Sequence, residues 1–474
     1  MARKKNNFGI GSFIFGFILL VLISVIVLVW GVTTYDGPLD PAYVVEESPE
    51  NMDDQPTDDG NRKFGDIIDE ENSEENSEED TEEDTEEDSQ DDLIENNAEM
   101  DSIVDSDVED VQTEITETGS NVGRRMYKQY LNTEEQKVYE AVVHTLEQVR
   151  VDCKVEALNC RKDELNDILT NAIVGVYYDY PEFFWFNGGA KQYKWRGEDG
   201  NYNVEIDLTN YDYWQYVLNK QGYIDEVNAI AQSIAAEAAK QGSTYEKVKY
   251  VHDYLVTNAE YDYDALEELN NTVQKVSSQQ SHTVYGCLVE KLCVCDGYSK
   301  TFQMIMNLIG IESEFAVGSA GGPHAWNYIT LDGENYWMDV TWDDADRRDE
   351  NGNMKYPEGV DYGYFCITSE NLAVTHTVDS HFPTPECYAT EYNFFHKENS
   401  YLENYNFDAL SNAIEEQKDE QIISVKFGSN NEMKNALSDL FEKNYRFKEL
   451  PVIGNEEFLY SYDERHGILT FLRE

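Results

Sequence analysis

Three side chains in chain order could together break and remake an acyl bond: a thiol at Cys295, an imidazole at His324 and a carboxylate at Asp339. Cys295 opens a helical pattern, because Tyr298, Phe302, Ile305 and Ile309 recur at spacings of four, three and four and Gly310 ends the run. A cysteine at a helix N-terminus faces the positive end of the helix dipole and backbone N–H groups that have no acceptor. That placement favours the thiolate, and the same donors can hold an oxyanion. A thiolate needs an imidazole to carry the proton, and the imidazole needs an acceptor to orient it. Residues 324–330 read as a strand, Asp332-Gly333 as a tight turn and residues 336–342 as the returning strand. With a two-residue turn Leu331 opposes Glu334 and Trp326 opposes Asp339, which places His324 diagonally from Asp339 on the same face. Diagonal neighbours lie about 7–8 Å apart at the backbone, within reach of both side chains.

Other readings of these residues are plainer. A single buried cysteine is usually packing, but a helix-opening cysteine followed by an ordered His and Asp points to catalysis. A zinc site from Cys287, Cys293, Cys295 and His324 would rest on one C-x-C with no paired C-x-x-C knuckles, so no metal is expected. His252 and Asp253 fall on a helix and read as structural. Trp326, Trp337 and Trp342 read as core aromatics, and Asp343 and Asp344 as loop or capping acids. For the side chain facing an oxyanion, Gln279, Gln280 and Tyr285 are guesses.

Val294-Cys295-x-Gly297-Tyr298, then His324-Ala325-Trp326-Asn327, then Asp339-Val340-Thr341-Trp342-Asp343-Asp344 resemble the transglutaminase-like superfamily, which is papain-like in architecture. Tyr285-Gly286-x-Leu288-Val289 is similar to the family as well. The likeness is close over 243–345, and the region from Tyr127 resembles the accessory segment of bacterial extracellular members. It implies an α+β fold with the cysteine helix packed on an antiparallel sheet. It also implies a Cys–His–Asp triad without a cofactor: Cys295 as nucleophile, His324 as general base and acid, Asp339 as orienter. The implied reaction passes through a thioester, released to an amine in cross-linking or to water in proteolysis or deamidation. Cys293 stands where the family usually has a small residue and is expected to be structural. A module of the same fold that only binds surface or wall proteins is the alternative, although it would have no physical need for the three groups.

These elements sit in a chain of 474 residues with 95 acidic and 35 basic side chains and a formal charge of -60, a balance that argues against binding a phosphate backbone. Nucleic acid is therefore not an expected partner. Residues 8–32 carry no charge, and about 20 apolar residues suffice to cross a bilayer. Arg3, Lys4 and Lys5 precede this run and orient it with the N-terminus in the cytoplasm. The expectation is a single-pass anchor over 1–34, with everything beyond it outside the cell and a protein or peptide substrate at the cell surface. Residues 35–125 are rich in Asp, Glu, Asn, Ser and Thr, with an S/T-E-E-D/N reiteration from Asn72 to Ser89, and read as a disordered acidic linker.

Order is expected from Tyr127: an accessory α+β region over 126–242, the cysteine domain over 243–390 and a small α+β unit over 391–474. In the first, Thr133-x-x-Gln136 suggests a capping box, a second helix spans 163–176, 183–186 reads as a buried strand, and a helix from Tyr223 stops at Gly242. Ser243-x-x-Glu246 caps the next helix. The last unit reads as a strand over 422–427, a helix carrying Met433 to Phe441, and a hairpin over 458–472. Seven cysteines are too few for a disulfide scaffold, though Cys153 and Cys160 are near enough in sequence to pair.

Overall fold

The computed structural model describes residues 9–11, 126–268, 276–344, 360–453 and 458–473. The expected linker and all of the expected anchor except Gly9–Gly11, a short strand antiparallel to residues 193–195, lie outside them. Among the described residues no helix is long and apolar enough to cross a membrane.

The accessory region is built on an antiparallel sheet of β1 (Asp152–Leu158), β2 (Phe186–Glu198) and β3 (Asn201–Asn210), with β3 central to the other two. Helix α1 (Thr133–Glu147) is capped one residue earlier than the motif suggested. The Asn132 side chain accepts from the Glu134 and Glu135 N–H groups, and Glu135 reaches back to the Asn132 N–H. Asparagine is the stronger cap, so it takes the position ahead of Thr133. Helix α2 (Leu165–Asp179) is apolar on nearly every side and correspondingly buried. It runs three residues beyond the expected end because the Asp179 carboxylate is satisfied by the N–H groups of Tyr127 and Lys128 and the Tyr139 hydroxyl. Phe183, Phe184 and Trp185 are buried, as expected, but in a turn and not a strand: Phe183 N–H bonds to Tyr180 O and Phe186 N–H to Phe183 O. Turning points all their rings into one aromatic cluster, in which Trp185 stacks on Trp214 at 5.2 Å.

Helix α3 (Lys220–Ala239) leads to α4 (Thr244–Asn258), which Ser243 caps by accepting from Glu246 N–H. The helix before it ends at Ala239, short of the Gly242 stop. Helix α5 (Cys295–Leu308) begins at Cys295 as the spacing predicts and packs on a second antiparallel sheet made of β4 (Glu312–Ser319), β5 (Pro323–Leu331) and β6 (Glu334–Met338), with Thr377–Val378 pairing on the far edge of β4. One continuous apolar core links α1 to α5, so Val142, Ile173, Ala231, Val251 and Phe302 belong to the same buried cluster. The short helix α6 (Val340–Asp343) follows β6 directly.

The C-terminal unit has its own core around Leu410, Ile423, Met433 and Phe471. Its strands β7 (Ile422–Phe427), β8 (Phe458–Asp463) and β9 (Ile468–Arg473) and helix α8 (Asn430–Leu437) follow the expected pattern, and helix α7 (Phe407–Glu416), which residue spacing did not mark, packs on β7. The tip of the β8–β9 hairpin reaches the cysteine domain, where His466 meets Tyr364 edge-on at 5.0 Å and Arg465 lies 5.8 Å from the Trp342 ring. All seven cysteines are free thiols, and Cys153 and Cys160 are both buried without bridging.

Candidate active site

Cys295 is the first residue of α5 and remains partly exposed. The capping residue, Val294, offers no side-chain acceptor, so the first-turn N–H groups stay available to a ligand or water. Several contacts hold this turn in place. Val294 N–H donates to Ser281 O at 3.0 Å. Ser299 Oγ lies 2.7 Å from Cys295 O and 3.0 Å from Ala325 O, and Asn327 Nδ2 donates to Ser299 O at 3.0 Å, tying the helix to β5. Gly297 allows the approach: a Cβ there would sit 2.5 Å from Ser281 O and 2.7 Å from Cys293 Cβ.

The β5–β6 hairpin has the anticipated register, with Leu331 opposite Glu334 and Asn327 opposite Met338. Asp332 and Gly333 take φ of +52° and +85°, as a two-residue turn matched to strand twist requires. The returning strand stops at Met338, however, and does not run on to Trp342. Asp339 ends it by capping α6: its Oδ1 accepts from the N–H groups of Thr341 at 3.0 Å and Trp342 at 3.1 Å. The other oxygen, Oδ2, meets His324 Nε2 at 2.7 Å. With Nε2 so engaged, Nδ1 is the remaining ring nitrogen, and the imidazole interacts with the Cys295 side chain. Burial alone would lower the His324 pKa, but the Asp339 carboxylate, with a contribution from Cys295, outweighs it and raises the value to about 10. Burial would likewise raise Asp339, yet His324 and a second imidazole, His376, hold it well below the usual carboxylate range. The structure thus brings the three sequence-selected residues together in the order sulfur, imidazole, carboxylate.

Residues 228–342, from within α3 into α6, match the family described as the Transglutaminase-like superfamily. That segment is a transglutaminase-like domain. A search of curated proteins finds no match. Among solved structures the chain is similar to one described as a TGase, with 22% identity over 32% of this chain and 44% of that one and a TM-score of 0.24. It is also similar to one described as "a Putative Cysteine Protease from Cytophaga hutchinsonii", with 15% identity over 33% of this chain and 59% of that one and a TM-score of 0.19. A third, described as a "putative protease from Parabacteroides distasonis", shows 16% identity over 30% of this chain and 29% of that one, with a TM-score of 0.18. The chain therefore spans less than two thirds of the length of each of these.

Around the three central residues lie groups that motif spacing did not single out. His376 Nε2 lies 3.0 Å from the same Asp339 Oδ2. His282 Nδ1 lies 2.9 Å from Asp296 Oδ1, so the carboxylate next to the thiol is itself buried and held by an imidazole. Tyr261 pairs with Cys293 across a short parallel bridge, and its phenol is pushed well up by burial and then by charge at Cys295. None of these three had a local pattern, since each is set by chain crossings between separate elements. Of the oxyanion guesses, Gln279 is occupied by Tyr213 N–H and Asp212, and Tyr285 stacks on Tyr223 at 4.7 Å.

His252 and Asp343 form a second buried pair at 3.1 Å, with Asp253 on the other imidazole nitrogen, a structural role for the histidine as expected. Asp343 is not a loop acid: it is buried and also accepts from Tyr364 N–H at 2.9 Å. Asp344 accepts from the Tyr298 hydroxyl. Among the described residues the cluster of metal-ligand type is His324, Asp339 and His376, not the cysteine set. There both imidazoles address one carboxylate oxygen at hydrogen-bond distance.

Proposed function

We propose that this chain is a cysteine enzyme of acyl transfer or hydrolysis acting on amide bonds of proteins or peptides, with Cys295 as nucleophile, His324 as acid and base and Asp339 as orienter. The observation that carries the reading is the buried His324–Asp339 pair at 2.7 Å, whose imidazole also interacts with the Cys295 side chain at the start of α5. The thiolate attacks the amide carbon, and the oxyanion forms against first-turn N–H groups of α5. The His324 proton passes to the leaving nitrogen as the C–N bond breaks, which leaves a thioester and a free amine. An incoming amine or water gives its proton to His324 as it attacks, and collapse returns the acyl product and the thiolate. Transfer and hydrolysis differ only in which nucleophile reaches the thioester.

The uncharged run at 8–32 preceded by Arg3, Lys4 and Lys5 supports an anchored protein with this domain outside the membrane on an acidic tether, acting on surface proteins. The test is mass spectrometry of amine-probe incorporation and of peptide cleavage by the intact chain beside Cys295→Ala. Products of either kind that vanish in the variant support the reading. Their absence, together with ordinary slow iodoacetamide labelling of Cys295, points instead to a module that only binds.

A further inference from the structure

His376 lies outside every motif, 37 residues beyond Asp339, yet it touches the carboxylate on which the proposed chemistry depends. Asp339 Oδ1 is committed to two backbone N–H groups, so Oδ2 alone serves both His324 at 2.7 Å and His376 at 3.0 Å. Neither the Asp339 nor the His376 side chain has any exposed surface. An ionised carboxylate can only accept, which assigns the His376 proton to Nε2 and leaves Nδ1 to accept from Thr375 Oγ1 at 2.8 Å. Tyr364 OH lies 3.0 Å from that same Oγ1 and completes a run of donors pointing one way, from Tyr364 through Thr375 and His376 to Asp339. Trp326 and Trp342, each with its ring 4.8 Å from the imidazole, and Tyr364 at 5.3 Å wall the site with aromatic carbon. The ionisable groups facing His376 are Asp339 and His324, with His466 beyond Tyr364. Burial keeps His376 below its ordinary pKa and therefore neutral, and the neighbouring His324 acts in the same direction.

We propose that His376 is a positioning residue that donates a second hydrogen bond to Asp339 Oδ2 and so holds the carboxylate against His324 throughout the reaction. The inference rests on Cys295 being the nucleophile. When His324 gives up its proton, the countercharge of Asp339 disappears inside an apolar box, and a buried carboxylate left with too few donors is costly. His376, already neutral, keeps its Nε2 proton in that step. It keeps Oδ2 compensated and aimed while the charge on His324 comes and goes.

The experiment is the rate of iodoacetamide alkylation at Cys295, read by peptide mass spectrometry across pH 5 to 9 on the full chain. It compares His376→Gln, whose amide N–H can replace the Nε2 donor, with His376→Phe, which fills the box without a donor. The Gln variant is expected to stay within about threefold of the parent and the Phe variant to lose about tenfold or more, as for loss of a hydrogen bond to a charged group. The Phe profile should also shift along the pH axis while the Gln profile stays with the parent's. Equal rates in both variants, or a Phe variant faster than Gln, would mean the ring only packs and would overturn the proposal. If His376→Phe does not fold, Thr375→Val removes the donor behind the imidazole, and an unchanged rate and pH profile there overturns it equally. A parent chain whose Cys295 alkylates no faster than an ordinary thiol is a separate result, and it removes the nucleophile assignment itself.

Discussion

Asp339 and Asp343 stand at the two ends of one short helix, and each holds a buried histidine, but the two pairs lead to different outcomes. At Asp343, the second nitrogen of His252 meets another carboxylate, Asp253, and the ring is closed in by Tyr362 and Phe365. At Asp339, the paired imidazole of His324 interacts with a thiol that still reaches solvent. A buried imidazole and carboxylate are paired in both places, but burial pushes the Asp343 carboxyl up to about 7, whereas His324 and His376 hold Asp339 below the usual carboxylate range. Chemistry requires in addition that the far nitrogen face an atom able to form a bond and open to a substrate. The first cluster locks α4 to α6, and the second is poised on the sulfur.

The largest expected effect that separates them is at the thiol: Cys295→Ala should remove acyl-transfer or cleavage products by about 10⁴-fold or more, while circular dichroism and thermal midpoint remain those of the parent. Next, His324→Gln should slow alkylation of Cys295 at neutral pH by about 10²-fold or more. His252→Gln should leave that rate within about twofold yet lower unfolding free energy in urea by about 3–5 kcal/mol, because Asp343 and Asp253 lose the charge between them. Equal loss of alkylation in both variants would mean that the two histidines do not differ in role.

The pH dependence of stability sharpens it. Both histidines are raised on folding from 6.5, His252 to about 9 and His324 to about 10. Each therefore contributes fully below pH 6.5 and loses its contribution as pH rises through the folded value. Thermal midpoints should fall across that window, with the His252→Gln curve flatter up to pH 9 and the His324→Gln curve flatter up to pH 10. The smallest effect is expected for Lys249→Met, since the 2.6 Å pair with Asp253 is partly exposed, and its loss should cost less than about 1 kcal/mol in the same urea titration.

What could be read from the chain follows the range of each signal. The helix opening at Cys295 and the Asp332-Gly333 hairpin are local patterns, and both are present where residue spacing put them. The shared face of His324 and Asp339 follows from the same register, although the strand ends at Met338 because Asp339 is also a helix cap, a competing local use of a carboxylate that strand alternation does not register. His376 and Asp296–His282 are different. They meet the site only through the path of the chain between elements, and neither periodicity nor a turn signal marks them. The anchor expected over 8–32 lies, but for three residues, outside what the structure describes.

One missing methyl group governs where the sulfur sits. Gly297 lets the first turn of α5 press against Ser281 and Cys293, and any larger residue there must lift that turn away from both. The helix would survive such a change with little loss, yet the atom every neighbour is aimed at would have moved, and a displacement of about 1 Å can cost on the order of 100-fold in rate. Reactivity in this molecule is guarded as much by emptiness at one backbone position as by any group that titrates.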